Sequence, residues 1–485
     1  MRVPICGGNW NNTSNAGVFY VNLNNDRSNT NENIGFRSAR PPDCRIRPWT
    51  TVNGPVQEVK EPTSAPETGR KTKWPEDHIR SDGHLRKPQV AHSERCDTQF
   101  FEMIKNVFDI IFSMDNLYLA LKDASAGRRY KKDVLQFNDE AGRLLKEIRD
   151  EVYRGTYKIE KYHVFYVYEP KKRMIMSISF RHRVVQWAIY RILNPLFTKG
   201  YIEDSYGCID GRGSVSAMKR LKYWVDQASR KKATWYYLKL DISKYFYRIS
   251  HRVLKKILRK KIDDDRLLYL LFGIIDCDHR AFGLPRGKSP GEVEPEDMLY
   301  DVGMPIGNLM SQTFANLYLD ALDQYCKRVL GIEKFIRYMD DVIILGESKA
   351  QLWDWRNSIE QFLLSELELD LNRKTCIRPI RDGIEFVGYR IYPTHVVLRK
   401  QTTLHIKRSL RSVMDQYHDY EITMEDAFAS LQSYLGMFCH CDSHSLQEKI
   451  LREFVLTHGD RNHEEEIWIA NSNAYTTATD AAGDT

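Results

Sequence analysis

The stretch that decides the fold is Phe335-Ile336-Arg337-Tyr338-Met339-Asp340-Asp341-Val342-Ile343-Ile344-Leu345. Two adjacent carboxylates, Asp340 and Asp341, separate an alternating segment from an apolar run. This pattern predicts a β-hairpin that carries the two acids at its tip. An Asp-Asp pair alone is more typical of an ordinary turn, because Asp favours turns. The strand patterns on both sides, and a third acid upstream, favour a chemical site instead.

The third acid is Asp241, which ends the strand-like run at residues 236–240. Two strand ends that bring carboxylates together make a site for two divalent cations. Such a pair of metals, roughly 3.5–4 Å apart, activates an attacking hydroxyl and stabilises a leaving oxygen in phosphoryl transfer. The backbone carbonyl of Ile242 is expected to complete the metal shell, because hard cations take oxygen ligands.

The composition is that of a folded protein with several domains. The 485 residues are 42% hydrophobic and 28% charged, which suits two or three domains. The net charge is only +7, so local basic clusters matter more than the total. The longest apolar run, residues 267–275, is too short to span a bilayer, and the N-terminus lacks the apolar core of a signal peptide. We therefore expect a cytoplasmic protein without a membrane partner.

Cysteine usage supports the same compartment. Nine scattered cysteines suit reduced thiols better than a disulfide framework. The tightest group is Cys439-His440-Cys441 with His444. A zinc site and thiols on a packed helix are both open interpretations of this group.

Periodicity predicts helices and one further hairpin outside the acidic stretch. Apolar residues recur at helical spacing over residues 100–111, and helices are expected near 114–124 and 130–153. A β-hairpin is expected near 157–180, followed by a helix over 182–198. The region 401–458 has the pattern of an all-helical segment.

Aromatic and basic residues near the acids suggest contacts to a nucleotide. Phe246 is placed to lie beneath an incoming sugar, where a large ring would exclude a 2′-hydroxyl. Core packing is the alternative interpretation of this ring. Lys171, Lys172 and Arg173 follow a predicted strand, and such a basic tip would grip a triphosphate. A solvated charged turn is the alternative there.

The chain resembles a reverse transcriptase over about residues 97–460. The resemblance rests on motifs that occur in the order typical of that family. They are residues 171–173, 205–213, 241–246, 306–312, 338–341, 371–375 and 386–389. The resemblance implies an α+β fold, a right-hand polymerase with fingers, a palm of antiparallel sheet plus helices, and a helical thumb.

The resemblance also implies a division of the chain. The expected segments are an Asn-rich stretch at 1–40, a linker at 41–95, fingers at 96–235, palm at 236–400, thumb at 401–460 and a disordered tail at 461–485.

Individual residues take roles from the same resemblance. The metal ligands of the family correspond to Asp241, Asp340 and Asp341, with Mg²⁺ as the expected pair of ions and Mn²⁺ suited to the same oxygens. Either Lys171 or Lys172, together with Arg173, corresponds to the basic residues that bind the triphosphate, and Phe246 corresponds to the sugar gate. Lys374 corresponds to a lysine proposed to protonate pyrophosphate. The primer grip corresponds to Phe386, Val387, Gly388 and Tyr389.

The segment at 306–312 indicates which kind of reverse transcriptase the chain is similar to. Group II intron and retron enzymes usually have Gln-Gly-x-x-x-Ser-Pro here, whereas this chain has Ile-Gly-x-x-x-Ser-Gln, as in diversity-generating retroelements. We expect Ile306, Gly307 and Gln312 to line the incoming nucleotide. A Gln at 306 would hydrogen-bond near the nascent base pair, whereas Ile306 offers only packing and would loosen selection opposite adenine.

The first 40 residues are similar to the variable end of a lectin-like target protein of such elements. Ten of the first 35 residues are Asn, whose codons begin with two adenines, as an adenine-rich template repeat would encode. A disordered polar tail is the alternative interpretation.

The expected function is an RNA-directed DNA polymerase that copies a template-repeat RNA into cDNA with errors at adenines, for diversification of a variable gene. The expected partners are template RNA, the RNA/cDNA duplex, dNTPs and a small basic oligomeric accessory protein, in an element carried by a bacterium, an archaeon or a phage. A retron or intron-type enzyme, or a binding protein without catalysis, are the alternatives. A lectin-like display protein is disfavoured, because residues 1–40 lack the rest of such a fold.

Overall fold

The structure, a computed structural model, describes residues 103–159, 161–168, 173–276 and 281–459, together with three two-residue strands outside these ranges. The strands are β1 Arg2–Val3, β2 Asn25–Asp26, β3 Ile104–Lys105, β4 Tyr162–Val167, β5 Arg173–Ile178, β6 Ser205–Tyr206, β7 Tyr236–Asp241, β8 Ile262–Asp263, β9 Phe335–Tyr338, β10 Asp341–Gly346, β11 Cys376–Pro379, β12 Ile384–Phe386, β13 Tyr389–Ile391, β14 Val396–Leu398, β15 Val455–Leu456 and β16 Trp468–Ile469. Apart from β1, β2 and β16, the segments predicted over 1–40, 41–95 and 461–485 lie outside the described residues.

Helices surround the sheets. They are α1 Phe108–Ile111, α2 Met114–Ser125, α3 Lys132–Asp139, α4 Ala141–Tyr153, α5 Phe180–Thr198, α6 Ser214–Ser229, α7 Tyr245–Arg248, α8 His251–Lys261, α9 Asp265–Asp276, α10 Leu309–Gln324, α11 Lys349–Glu366, α12 Lys400–His418, α13 Met424–Phe438 and α14 His444–Glu453, with a π-helical turn at Tyr325–Val329 and 3₁₀ turns at Pro295–Asp297 and Ile380–Asp382. No helix within the described ranges has the length and apolarity needed to cross a lipid bilayer.

A five-stranded sheet has four of its strands in the segment predicted as the palm, 236–400. Its strand order is β11-β7-β10-β9-β6, and every neighbouring pair is antiparallel except β6 and β9, which are parallel. The β9–β10 hairpin confirms the prediction from the opening stretch, with Met339 and Asp340 in its turn. The mixture of this sheet with surrounding helices confirms the predicted α+β class.

The two faces of this sheet belong to two different hydrophobic cores. Leu240 and Ile344 point into a core shared with helices α1 to α5 and α8 to α11. Ile343 and Tyr237 point into a second core shared with α6, the β12–β14 sheet and the helices α12 to α14. Because side chains alternate along a strand, Asp241 and Asp341 lie on the second face, towards α6 and the β12–β14 sheet.

The second predicted hairpin lies in the segment predicted as the fingers, 96–235. β4 and β5 pair antiparallel from Tyr162–Ile178 to Val167–Arg173, and α5 follows directly from Phe180. This confirms the hairpin near 157–180 and the helix after it.

The helix predicted over residues 100–111 is wrong in its middle. Ile104–Lys105 is a strand that pairs in parallel with β8, and the helix is confined to Phe108–Ile111. Phe108 and Ile111 are buried, so the apolar pattern correctly predicted which side chains face the core. Pairing with a strand far along the chain replaced helical hydrogen bonds at residues 104 and 105.

The segment predicted as the thumb is mostly helical, as its pattern predicted. α13 begins with a capping box in which Thr423 and Asp426 satisfy each other's backbone N–H groups. The short strand β15 interrupts the helical pattern after α14.

Candidate active site

Strand register brings Asp241 and Asp341 together at one end of the palm sheet. The two residues are direct partners across β7 and β10. Side chains directly opposite in an antiparallel pair have Cβ atoms about 4.5–5.5 Å apart. Asp340 precedes Asp341 in the hairpin turn, so three carboxylates lie at this edge, near enough to influence one another's charge.

A buried arginine fixes the hairpin from below. Arg337 in β9 is fully buried and forms a two-pronged ion pair with Asp323 of α10, with both contacts at 2.7 Å. Its other three N–H groups donate to the Asn316 side chain, the Met339 carbonyl and the Ser205 hydroxyl. All five guanidinium donors are therefore satisfied, which fixes the carbonyl of the residue that precedes Asp340.

A glycine makes room for the hairpin turn. Met339 has a positive φ of 54°, and its N–H donates to the Tyr206 carbonyl at 3.1 Å. Gly207, with a φ of 90°, lies so close that a Cβ there would come 2.9 Å from Cγ of Met339. Only glycine combines this conformation with this contact.

Asn372 holds Asp241 by side chain and backbone. Its Nδ2 donates to Oδ2 of Asp241 at 2.9 Å, and its N–H donates to the Asp241 carbonyl at 2.7 Å. Oδ1 of Asn372 accepts from the N–H of Lys374, whose side chain is exposed. Ile242 is buried and forms an isolated bridge with Leu371. The segment that carries Lys374 is thus tied to the predicted metal ligands.

Lys239 contacts the other strand-end acid. Its Nζ lies 3.1 Å from Oδ2 of Asp341 and donates to the Glu385 carbonyl at 2.8 Å. Lys239 is two residues before Asp241 in β7, so its side chain lies on the same face of the sheet.

The electrostatics of the acids reflect their crowding. Burial raises the pKa of Asp341 to about 6; Lys239 opposes this shift, and the charges of Asp340 and Asp241 add to it. Burial and the charge of Asp241 also raise the pKa of Asp340, against the influence of Arg173 and Arg337. Carboxylates that repel one another in this way are stabilised by a cation between them.

The donor set fits an oxygen-preferring metal ion. Three carboxylates and a neighbouring backbone carbonyl are the oxygen ligands that Mg²⁺ and Mn²⁺ prefer. Oδ1 of Asp341 is buried and accepts no hydrogen bond from the described residues. Within the same ranges, no group of three or more His, Cys, Asp or Glu side chains already stands in ligand geometry. This holds for Cys439, Cys441 and His444 and equally for Asp241, Asp340 and Asp341, so the zinc interpretation of the first group and the metal site at the acids both stay predictions.

The predicted nucleotide-binding residues lie in connected segments. Arg173 is the first residue of β5, and its positive charge acts to lower the pKa of Asp340. Lys171 and Lys172 lie outside the described residues. Phe246 is half-buried in α7, and its carbonyl accepts from Met304 at 2.7 Å.

The segment after Met304 joins the fingers to helix α10. Ile306 is only 6% exposed, and its carbonyl accepts from the N–H of Met176 in β5 at 2.8 Å. Gly307 has a positive φ of 117°, and Gln312 is buried in α10. The side chain of Ile306 is therefore packed against its neighbours rather than exposed.

The predicted primer grip is a tight hairpin beside the acids. Phe386 and Tyr389 are buried at the ends of β12 and β13, and the two turn residues Val387 and Gly388 have φ values of 42° and 88°. Positive φ at both turn positions is typical of a type I′ hairpin. The Phe386 ring meets the Tyr338 ring edge-on, with centroids 6.5 Å apart.

Sequence reasoning assigned no role to Lys239, Arg337 or to the amide of Asn372. One signal was available for Lys239, because a charged residue two positions before Asp241 must share its face of the strand. The partners of Arg337 are up to 132 residues away, and no local pattern reveals them.

The central region of the chain is similar to a known protein family. Residues 160–391 match the family described as Reverse transcriptase (RNA-dependent DNA polymerase). Protein YkfC of Escherichia coli is 28% identical over 284 residues, which cover 51% of this chain and 71% of that protein.

Two eukaryotic proteins are similar over shorter shares of their length. The putative COX1/OXI3 intron 2 protein of Saccharomyces cerevisiae is 22% identical over 44% of this chain and 30% of its own. Nuclear intron maturase 4, mitochondrial, of Arabidopsis thaliana is 27% identical over 44% of this chain and 25% of its own. The chain thus spans less than a third of these two relatives.

Among solved structures, telomerases align at low scores. Apo telomerase from Candida tropicalis has a TM-score of 0.38 at 11% identity, and the alignment covers 64% of each chain. Telomerase from Candida albicans with a fragment of telomeric RNA has a TM-score of 0.36 at 14% identity, covering 62% of this chain and 54% of that one.

Proposed function

We propose that this chain, whose residues 160–391 form a reverse transcriptase domain, is an RNA-directed DNA polymerase that extends a DNA 3′ end with dNTPs. Asp241, Asp340 and Asp341 hold the metal ions, with the Ile242 carbonyl as a further ligand. Arg173, with Lys171 or Lys172, binds the triphosphate. Reverse transcriptases use divalent metal ions such as Mg²⁺.

The observation that carries this proposal is the register of β7 and β10, which sets Asp241 directly opposite Asp341. When bound, two divalent ions would activate the primer hydroxyl and stabilise the leaving pyrophosphate oxygen. The chain itself orients these acids through Asn372 and Arg337. Lys374, exposed beside Asn372, is the proposed proton donor to pyrophosphate. The turn at Phe386–Tyr389 holds the primer end.

Primer extension on an RNA template with Mg²⁺ tests the proposal. Asp241→Asn and Asp341→Asn keep the side-chain shape but remove a charge. We expect each to lower the rate by roughly 10²–10³-fold, the scale for loss of one charge-stabilising group. Asp139→Asn, at the exposed end of α3, is the matched control and keeps full activity. A wild-type chain without extension activity, or an active Asp241→Asn variant, would overturn the assignment.

We further propose that Phe246 selects deoxynucleotides. Its ring is half-buried in α7, beside the strand end that carries Asp241. Phe246→Ala removes the ring that would meet a 2′-hydroxyl, and it is expected to raise the use of ribonucleotides relative to dNTPs. An unchanged ratio of the two rates would assign Phe246 to the core alone.

The finer proposal is that the enzyme belongs to a diversity-generating retroelement and copies a template-repeat RNA with errors at adenines. Ile306, in place of the usual Gln, supports it, together with Gly307 and Gln312 in the same segment. Ile306 packs against the core and provides no hydrogen bond near the nascent pair.

Copying an adenine-rich RNA tests this role of Ile306. Ile306→Gln is expected to reduce misincorporation opposite adenine, because discrimination depends on differences in transition-state binding. Ile306→Val keeps an apolar side chain and is the matched control. Equal error spectra for Gln and Ile at position 306 would contradict the proposal.

The partners follow from the same proposal. They are template RNA, the RNA/cDNA duplex and a small basic oligomeric accessory protein, in an element of a bacterium, an archaeon or a phage. Exposed basic residues on α8, Lys256, Arg259 and Lys260, offer a surface for RNA phosphates.

An intron-type or retron reverse transcriptase is the second candidate. It is favoured by the similarity to proteins named intron maturase and intron 2 protein. Sequencing the flanking DNA separates the two, because a template repeat beside a variable repeat supports diversification, whereas a flanking intron RNA supports the second candidate.

A further inference from the structure

One ammonium group connects the acids to the turn that is proposed to hold the primer. Nζ of Lys239 lies 3.1 Å from Oδ2 of Asp341, and it donates to the backbone carbonyl of Glu385 at 2.8 Å. Glu385 is in the middle of β12, one residue before Phe386. The bridge therefore joins the palm sheet to the separate three-stranded sheet β12-β13-β14.

The far side of this bridge is firmly anchored. The carbonyl of Gly388 accepts from the N–H of Arg399 at 3.0 Å and from the hydroxyl of Thr402 at the start of α12. The Phe386 ring also meets Tyr338, the residue that pairs with Asp341 in the β9–β10 hairpin. Displacement of the turn relative to Asp341 would break the Lys239 bridge and this ring contact together.

Folding stability alone does not account for a lysine at position 239. The side chains of Lys239 and Asp341 are 26% and 29% exposed, so the ion pair offsets part of the cost of burying Asp341, but that role does not require Nζ to donate to the Glu385 carbonyl as well. Its cross-strand neighbours are Ile343 and Cys376, so an apolar residue would suit the site. In addition, a positive charge beside a metal ligand opposes the binding of a divalent cation.

We propose that Lys239 is a positioning residue that fixes the distance between Asp341 and the turn at Phe386–Tyr389, so that the primer 3′ end is held in line with the metal ions. The inference rests on the proposed polymerase function and deepens it. Lys239 contacts neither nucleotide nor primer; it acts through Asp341 and through the backbone of β12.

Removal of the ammonium group should raise the affinity for Mn²⁺ and lower kcat. In Lys239→Met, a divalent ion no longer meets a neighbouring positive charge, so Mn²⁺ should bind about 3- to 10-fold more tightly. The turn is no longer tied to Asp341, so kcat should fall by about 10-fold or more while KM for dNTP stays unchanged. If Lys239 only held the Asp341 side chain in place, Lys239→Met would lower both the affinity for Mn²⁺ and kcat.

The experiment uses the full chain bound to an RNA template with a DNA primer. Mn²⁺ affinity is measured by electron paramagnetic resonance with a dideoxy-terminated primer, and kcat and KM are measured with an extendable primer. Asp341→Asn must weaken Mn²⁺ binding, which identifies the ion as the one at this site. Lys231→Met removes an exposed lysine paired with Glu347 at 3.2 Å and is the matched control.

Tighter Mn²⁺ binding together with a lower kcat supports the proposal, as does recovery of kcat to within about 3-fold by Lys239→Arg, which keeps charge and donors. Weaker or unchanged Mn²⁺ binding in Lys239→Met, or tighter binding with unchanged kcat, overturns it. A wild-type complex that neither binds Mn²⁺ nor extends the primer would overturn the polymerase function itself, and the two failures are therefore distinct.

Discussion

Gly207 lies beneath the turn of the β9–β10 hairpin, and its missing side chain leaves space for Met339. Gly211 in the same loop also has a positive φ, of 74°, but a Cβ there would meet nothing within 4 Å. Both glycines have a strained backbone conformation for an L residue, but only Gly207 contacts the hairpin. Substitutions at the two positions therefore distinguish the effect of backbone strain from the effect of that contact.

We predict that Gly207→Ala and Gly211→Ala each lower the free energy of unfolding by about 1–2 kcal/mol, because both place an L residue in the left-handed region. Only Gly207→Ala should also displace Met339 and lower the primer-extension rate, by about 10-fold or more. Thermal unfolding and extension rates of the two variants check this. Equal rates in the two variants would contradict a role for Gly207 in placing the acids.

At the scale of residues, the three acids could be read from the sequence because each stands at the end of a strand-like pattern. The role of Lys239 could not, since its carbonyl partner Glu385 is 146 residues away. The same holds for Asn372, whose partner Asp241 is 131 residues away. The roles of Phe246, Lys374 and the primer-grip residues remain predictions.

Among the elements, the β9–β10 hairpin depends on a buried ion pair with α10. Arg337 and Asp323 are both fully buried, and removal of one partner leaves the other charge without compensation. We predict that Arg337→Met lowers the free energy of unfolding by about 3–5 kcal/mol.

The double variant Arg337→Met/Asp323→Leu should recover most of this loss, because replacing both buried charges by apolar groups is far less costly. It should not recover primer extension, because the Met339 carbonyl still lacks its donor. Urea unfolding of the single and double variants measures the energies. Simple addition of two losses would contradict a coupled pair.

His251 at the start of α8 holds the loop that leads to Ile306. Its Nε2 lies 2.7 Å from the Gly303 carbonyl, and burial lowers its pKa; Lys255 acts in the same direction, whereas the Gly303 hydrogen bond, Asp276 and Asp301 oppose the shift. A histidine that stays neutral in the folded state takes up a proton more readily when unfolded. Its stabilising contribution is therefore present above the unfolded pKa of about 6.5 and is lost as pH falls below it.

We predict that the wild type loses stability below pH 6.5 with a slope of up to about 1.4 kcal/mol per pH unit from this group, and that His251→Gln lacks this component. Urea unfolding between pH 5 and 8 measures it. His163→Gln, with an exposed ring, is the control and should follow the wild type. Parallel curves for His251→Gln and wild type would rule out the buried-neutral assignment.

Elements with strong local patterns were predicted well, as the β4–β5 hairpin and α5 show. The stretch at Ile104–Lys105 was not, because its parallel pairing with β8 depends on residues more than 150 positions away. The parallel edge strand Ser205–Tyr206 is too short to carry any period of its own.

At the scale of the whole molecule, two adjacent residues of β10 belong to two different hydrophobic cores. Ile343 packs towards α6 and the helices α12 to α14, and Ile344 packs towards the helices of the other face. We predict that Ile343→Ala and Ile344→Ala each cost about 2–5 kcal/mol of stability. Hydrogen exchange should then speed up in α6 and β12–β14 for the first variant and in α10 and α11 for the second. Identical exchange patterns would show that the two cores act as one.

The ion pair between Lys239 and Asp341 has a consequence for the folding of the protein. The chain brings its own counterion to the acidic edge, so it can reach its final shape before any divalent ion arrives. We therefore expect a chelator such as EDTA to stop DNA synthesis at once while the melting temperature stays within about 2 °C of its starting value, a change of at most about 2 kcal/mol for a chain of this size. Differential scanning calorimetry with and without EDTA measures this, and a large drop would mean that the ions help to build the fold.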